Sequence, residues 1–278
     1  MEKLQENVQL LLNLFKSGQF YKAETFNKEL IKKNPNNIFF YNFMAIVLTQ
    51  QQKIDEAILF CKSGIKIDQK HAPIYDNLGT AYKIKGDYLE SEKAYKKSIE
   101  LDNSLAEAQN NLGNLYIMLN RFNESIECFK KAILINSKQF TYHYNLGIVY
   151  KTIGRFSESL SSFNESIALN NNFCTAHRSL SGLIKYKKND KHLEIMKTLK
   201  TKTYIQDDQK TELLFALAKA YDDINDFDQA FKYYTEANLL RRKKINFSIK
   251  DEKLFFNNIK STFSKKLINK MVDAGNKS

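Results

Sequence analysis

Apolar and small residues return along this chain in one order at intervals of 34 residues. Asn77-Leu78-Gly79-Thr80-Ala81-Tyr82 recurs as Asn111-Leu112-Gly113-Asn114-Leu115-Tyr116 and again as Asn145-Leu146-Gly147-Ile148-Val149-Tyr150. Further along each copy stands a small residue, Ala23, Ala57, Ser91, Ser125, Ser159 or Ala230, followed four residues later by a bulky one such as Tyr95, Phe129, Phe163 or Tyr234. A spacing of four puts both on one helix face. Between the two patterns lie Gly18, Gly86, Asn120, Gly154 and Asn225, residues that tolerate the left-handed conformation closing a helix. Each copy therefore predicts two helices and a turn. Glycine inside a helix costs about 1 kcal/mol relative to alanine. The recurrence of Gly79, Gly113 and Gly147, with Ala45 and Ala218 in other copies, predicts a first helix pressed against its partner.

In this register the repeats run at about 4–37, 38–71, 72–105, 106–139, 140–173 and 211–244, with an irregular one at 174–210. That irregular stretch keeps Leu180, Ser181 and Ile184, while Lys187-Lys188-Asn189-Asp190-Lys191 replaces the turn; it reads as a degenerate pair of helices. The period and the L-G-x-x-Y string resemble the tetratricopeptide repeat, a helix-turn-helix hairpin that buries its apolar face only by stacking on its neighbours. The resemblance implies an all-α solenoid, a right-handed superhelix over 1–244 whose surface is its function. Residues 245–278 are expected to form a C-terminal helix and a basic tail. Ser248 and Asp251 supply an N-terminal capping pattern. Phe255, Ile259, Phe263, Leu267 and Met271 form a stripe expected to cover the end of the solenoid.

Two prolines, few glycines and no alternating run agree with helices throughout. Pro35 fits a loop and Pro73 a first helical turn. No apolar stretch approaches the roughly 20 residues that cross a bilayer, and Met1 to Phe20 reads as a repeat helix and not as a leader. The simplest expectation is a cytoplasmic chain with no membrane partner. Cys61, Cys128 and Cys174 are odd in number and lack metal-ligand spacing. His143 and His177 take equivalent packing positions. With no phosphate loop, nucleophile elbow or metal-binding helix motif, no catalytic residue, metal or cofactor is expected, and the chain is not expected to be an enzyme. The formal charge is +12, but eleven Lys or Arg against three acidic residues fall within 241–278. A nucleic-acid groove would spread its cations along the repeats, so nucleic acid is not the expected partner.

The family resemblance also implies that the first helix of each repeat lines the concave surface, with the residue before Leu-Gly pointing into it. That residue is Asn77, Asn111 and Asn145. An amide both donates and accepts, so it can pair with a peptide main chain whatever its side chains. The arrangement is similar to the asparagine ladder of the nucleocytoplasmic O-linked N-acetylglucosamine transferases, which holds substrate peptides by their backbone. Phe43 and Ser179 interrupt it on either side. Helices about 8–10 Å apart would meet about every third residue of a peptide advancing about 3.3 Å per residue. Asn110, Asn114 and Tyr144 extend the polar stretch, with Lys83 and Lys151 as supporting groove residues. Phe39, Phe43 and Ile46 are candidates for an apolar anchor, the alternative being that they pack on the first repeat. Replacing the three ladder asparagines by alanine is expected to weaken partner capture without lowering the melting temperature. No convincing set for a dicarboxylate clamp on chaperone tails is present.

Leu213 to Asp223, Asp226-Phe227, Ala230-Phe231, Tyr233-Tyr234 and Glu236-Ala237-Asn238-Leu239-Leu240-Arg241-Arg242 resemble the last repeat of bacterial proteins that join tetratricopeptide repeats to a sulfotransferase domain. With the irregular repeat before and the helix after, the resemblance spans 174–274. In that family a phosphosulfate-binding loop with a P-R-S-G-T type motif follows; the sequence to Ser278 contains none. The reading is a non-catalytic scaffold binding an extended peptide or partner segment in the concave groove. The alternative is the substrate-recruiting region of a sulfotransferase whose catalytic domain is missing in cis.

Overall fold

Every full copy of the 34-residue pattern folds as a helical hairpin in the computed structural model, which describes residues 2–202, 205–245 and 248–263. The first repeat gives α1 (Glu2–Lys16) and α2 (Phe20–Lys33), the second α3 (Ile38–Gln50) and α4 (Ile54–Ile67), the third α5 (Ala72–Lys85) and α6 (Tyr88–Leu101). Then follow α7 (Ala106–Met118), α8 (Phe122–Ile135), α9 (Phe140–Thr152), α10 (Phe156–Leu169) and the short α11 (Cys174–Ser181). After it come α12 (Lys191–Lys200), the hairpin α13 (Asp207–Asp223) and α14 (Phe227–Lys244), and α15 (Ile249–Thr262). No strand occurs among the described residues.

The recurring glycines are where two helices touch. A Cβ on Gly79 would stand 2.7 Å from the Tyr95 ring, one on Gly113 2.8 Å from Phe129, and one on Gly147 2.6 Å from Phe163. Those three rings are fully buried. The small residue four before each ring also ties the hairpin together, because Ser91, Ser125 and Ser159 donate their hydroxyls to the carbonyl oxygens of Gly79, Gly113 and Gly147 at 2.7, 2.8 and 2.8 Å. The turn residues Gly18, Gly86, Asn120, Gly154 and Asn225 all have positive φ, as the pattern predicts. Gln52 does the same work in the second repeat at φ 61, a place no glycine or asparagine marks.

Glu24 ties the first repeat to the second. Its carboxylate, 6% exposed, accepts from Lys28 at 2.6 Å, Lys53 at 2.7 Å and Gln51 at 2.9 Å. Burial works against its ionisation, but these donors outweigh it and bring the pKa down to about 2.

The chain divides into two compact units, Met1–Ile184 and Lys185–Ser278, where a continuous solenoid over 1–244 was the expectation. The division falls inside the irregular stretch. There α11 stops after 8 residues and a segment without helix follows to Asp190, so the usual hairpin is not built. In the second unit Tyr186 is buried, its N–H donating to Asp223 and its hydroxyl paired with His192 Nδ1 at 2.7 Å.

Ser248 caps α15, accepting from the Asp251 N–H, but the covering role expected of this helix is not what the structure has. None of its residues is buried, and Phe255 and Phe263 are 59% and 56% exposed. The stripe marks an apolar face; nothing in the described chain lies on it. Leu267, Met271 and the basic tail lie outside the described residues.

Candidate functional site

The first helices α3, α5, α7 and α9 contact one another in sequence, and their shared face carries the predicted asparagines. Each of these is half-buried and each is already bonded. Asn77 Nδ2 donates to Asn42 Oδ1 at 2.7 Å, Asn111 Nδ2 to the two Asp76 oxygens at 3.0 and 3.1 Å, and Asn145 Nδ2 to Asn110 Oδ1 at 2.8 Å. Tyr144 continues the series with Ser179, hydroxyl to hydroxyl at 3.4 Å. Every bond spans 35 residues, one repeat plus one position. The amide oxygens of Asn77, Asn111 and Asn145 take no donor from the described protein, and one N–H of each is left over. These asparagines are thus oriented by the neighbouring helix and keep polar atoms to offer.

The expectation that their loss leaves the melting temperature unchanged is corrected by these bonds, since a net hydrogen bond contributes about 0.5–1.5 kcal/mol. The partners Asn42 and Asp76 are absent from the predicted set. Their signal is nonetheless in the sequence: Asn42, Asp76, Asn110 and Tyr144 are themselves spaced by 34 and each precedes a ladder position.

The apolar-anchor reading is corrected too. Phe43 is 5% exposed and packs in one cluster with Val8, Phe15 and Phe39, its ring centroid 5.5 Å from Phe15 and 5.9 Å from Phe39. Val8 and Phe43 stand 35 apart, so this is the first rung of the same series, filled by an apolar pair. Phe39 and Ile46 are half-buried. Asn114 is half-buried and Lys151 exposed, the Lys151 Nζ standing 3.8 Å from where a Cβ on Gly182 would be.

The centre of the face is the most unusual electrostatically. Asp76 is 8% exposed, and burial raises its pKa to about 6 against its one side-chain donor, Asn111; Glu107 adds to the rise and Lys83 opposes it. Half-buried Lys83 is lowered by desolvation, with Asp76 and Glu107 pulling the other way. Glu107 accepts from the Tyr142 hydroxyl at 3.0 Å. Neither Asp76 nor Lys83 makes an ion pair within 4 Å among the described residues.

Other titratable groups are packed, not poised. Cys61, Cys128 and Cys174 are buried outside any disulfide, and burial pushes the Cys61 thiol up to about 12 and the Cys128 thiol to about 11. Both stay protonated at neutral pH, the wrong state for a nucleophile or ligand. His143 and His177 each pair with a backbone carbonyl six residues earlier, at 3.0 and 2.9 Å. Among the described residues no group of three His, Cys, Asp or Glu could hold a metal ion, and no helix is long and apolar enough to cross a membrane.

Comparison with known proteins fits this construction. Residues 79–120 and 113–154 match a family model described as TPR repeat, and residues 140–173 and 211–244 match one described as tetratricopeptide repeat. These segments are tetratricopeptide repeats, and the fold is that of an all-α tetratricopeptide solenoid, one that generally mediates protein–protein interaction. The structure is similar to a thermophilic TPR protein of Thermus thermophilus (16% identity, TM-score 0.57, covering 64% of this chain and 97% of that one). It is also similar to a tetratricopeptide repeat protein of Parabacteroides merdae (18% identity, TM-score 0.57, covering 91% and 97%). Among curated proteins it is 26% identical over 90 residues to a UDP-N-acetylglucosamine–peptide N-acetylglucosaminyltransferase of Caenorhabditis elegans, a match covering 32% of this chain and 8% of that protein.

Proposed function

We propose that the first compact unit is a non-catalytic scaffold that holds an extended segment of a partner protein along the face of its first helices, in the concave groove, reading it in part through its main chain. The observation that carries this is the row of rungs: three asparagines in successive repeats, each fixed by one N–H and each with an uncommitted amide oxygen and a second N–H. A peptide backbone presents the complementary pair of groups at every residue. The similarity to a peptide glycosyltransferase supports the reading. Three such hydrogen bonds, at about 0.5–1.5 kcal/mol each, reach no more than about millimolar affinity. Side-chain contacts must supply the rest, and Asn114, Lys83 and Lys151 are the residues proposed to give them.

The test separates reading from bracing. A displayed peptide library is selected on the wild-type chain, and the recovered peptides are titrated against N77A/N111A/N145A and, separately, N42A/N110A. The second variant breaks two inter-repeat bonds from the far side and leaves the ladder amides in place. Affinity lost in the first and kept in the second supports the reading; affinity that falls in both only in step with the melting temperature means that the asparagines only brace the repeats. The alternative, a recruiting arm of a sulfotransferase, rests on the residue pattern at 213–242 and makes the same demand on the groove. An in-frame P-R-S-G-T motif in the downstream coding sequence decides it.

A further inference from the structure

The helix α15 is fourteen residues long and buries none of them. An isolated helix of that length is marginal in water, because its nucleation is unfavourable and its stability in proteins comes from covering an apolar face. Its composition supplies such a face. At 100° per residue, Phe255, Ile259, Phe256, Ile249 and, at the cap, Phe263 fall within an arc of about 120° that is interrupted by Glu252 in the first turn and is apolar from Phe255 onward, and all five are among the exposed large apolar residues. Lys253 and Lys260 border that arc and Lys250 lies further round; none of the three has an acidic partner within the described chain. Asp251 and Glu252 sit in the first turn, where the amides of the helix N-terminus favour them. The sequence from 241 to 263 holds seven Lys or Arg against two acidic residues.

We infer that α15 is an interfacial helix that lies on an anionic lipid surface, its phenylalanine and isoleucine side chains in the acyl boundary and its lysines among the headgroups. Charge decides between occupants. A second copy seated on this face would bring cation-rich segments together, while an anionic surface neutralises them. Duplex nucleic acid would satisfy the lysines but offers nothing to Ile249, Ile259 or three adjacent phenylalanine faces. A helix too short and too polar to cross a bilayer is suited to lying in its surface, and this contact is independent of the groove on the first compact unit.

The test is flotation of the full chain with vesicles of phosphatidylcholine alone and of phosphatidylcholine mixed with phosphatidylserine. Binding is expected only to the mixed vesicles, weakening as salt is added. F255D/F256D should abolish it with the melting temperature unchanged, since neither side chain is buried. Reversal of Lys250, Lys253 and Lys260 to glutamate should weaken it about a hundredfold or more, and N77A/N111A/N145A should leave it intact. Absence of flotation with the mixed vesicles at low salt overturns the proposal. So does a dimer in light scattering that F255D/F256D dissolves, or retention on duplex RNA that the same variant abolishes.

Discussion

Replacing Asp76 by asparagine is expected to stabilise the protein at neutral pH and to change nothing in acid. Asp76 is buried on the face of the first helices with one donor, Asn111, bonded to both its oxygens, and with no cation within ion-pairing distance among the described residues. Burial lifts its pKa from 3.8 to about 6. The unfolded chain releases this proton more readily than the folded one, so ionisation works against folding. The penalty is absent below about pH 4, grows as the pH rises to about 6 and is complete above that. A rise of that size amounts to about 3 kcal/mol at most. Asparagine keeps an acceptor for Asn111 and cannot ionise, so the variant should gain about 1–3 kcal/mol at about pH 7.5 and nothing at about pH 4. Urea unfolding of both chains by circular dichroism across that range reads the difference directly, as the shift in midpoint times the slope. A variant that is less stable at neutral pH would refute the reasoning, because it would mean that Lys83 pairs with the carboxylate and makes its charge worth having.

Two further outcomes follow from the packing. Gly113→Ala places a Cβ 2.8 Å from the buried Phe129 ring; the overpacking of about 1–3 kcal/mol exceeds the helix-propensity gain of about 1, so thermal unfolding should occur at a lower temperature, and a rise would disprove the close approach. Glu24→Gln removes a carboxylate whose pKa is depressed to about 2. The stability that this charge supplies is present above the unfolded value near 4.5 and lost as the pH falls through about 2. With Lys28 half-exposed the loss at neutral pH should be about 1–2 kcal/mol, read by denaturant titration as a gap between the chains that closes in acid.

What the sequence makes legible here is whatever a single copy of the repeat decides. Gly79, Gly113 and Gly147 announce a close approach because a Cβ there would stand 2.7, 2.8 and 2.6 Å from the ring beneath, and Gly18, Gly86 and Gly154 announce turns because their φ is positive. What stays hidden depends on the register between copies. Asn111 alone gives no hint that its amide is spent on Asp76, since the two meet only when α5 and α7 stack one position out of step with the period. Phe43 occupies the ladder position, but Val8 opposite is apolar, so the position becomes core. Gln52 closes its turn at φ 61 without the residue that would mark it in the sequence. The stripe on α15 states that a face exists and leaves open what lies on it.

The same rungs have two consequences that bound the groove. In a stack where each repeat touches only its neighbours, stability is a sum of repeat and interface contributions, and a side-chain bond between successive first helices belongs to one interface alone. Polar rungs run from Asn42–Asn77 to Tyr144–Ser179, so the interfaces carrying them are those among the second to the irregular repeat. Before them the rung is Val8 and Phe43, which offers a ligand nothing polar. After them the period puts Ala216 in the asparagine's place; it is fully buried and has no group to donate or accept. The amide row is therefore confined to the first compact unit, and its length, two intervals of about 8–10 Å between three asparagines, fits a main-chain segment of about six to seven residues at about 3.3 Å each. Peptides recovered from selection should keep full affinity when trimmed to that length and lose it steeply below. Retained affinity in fragments spanning a single rung would place the binding energy elsewhere.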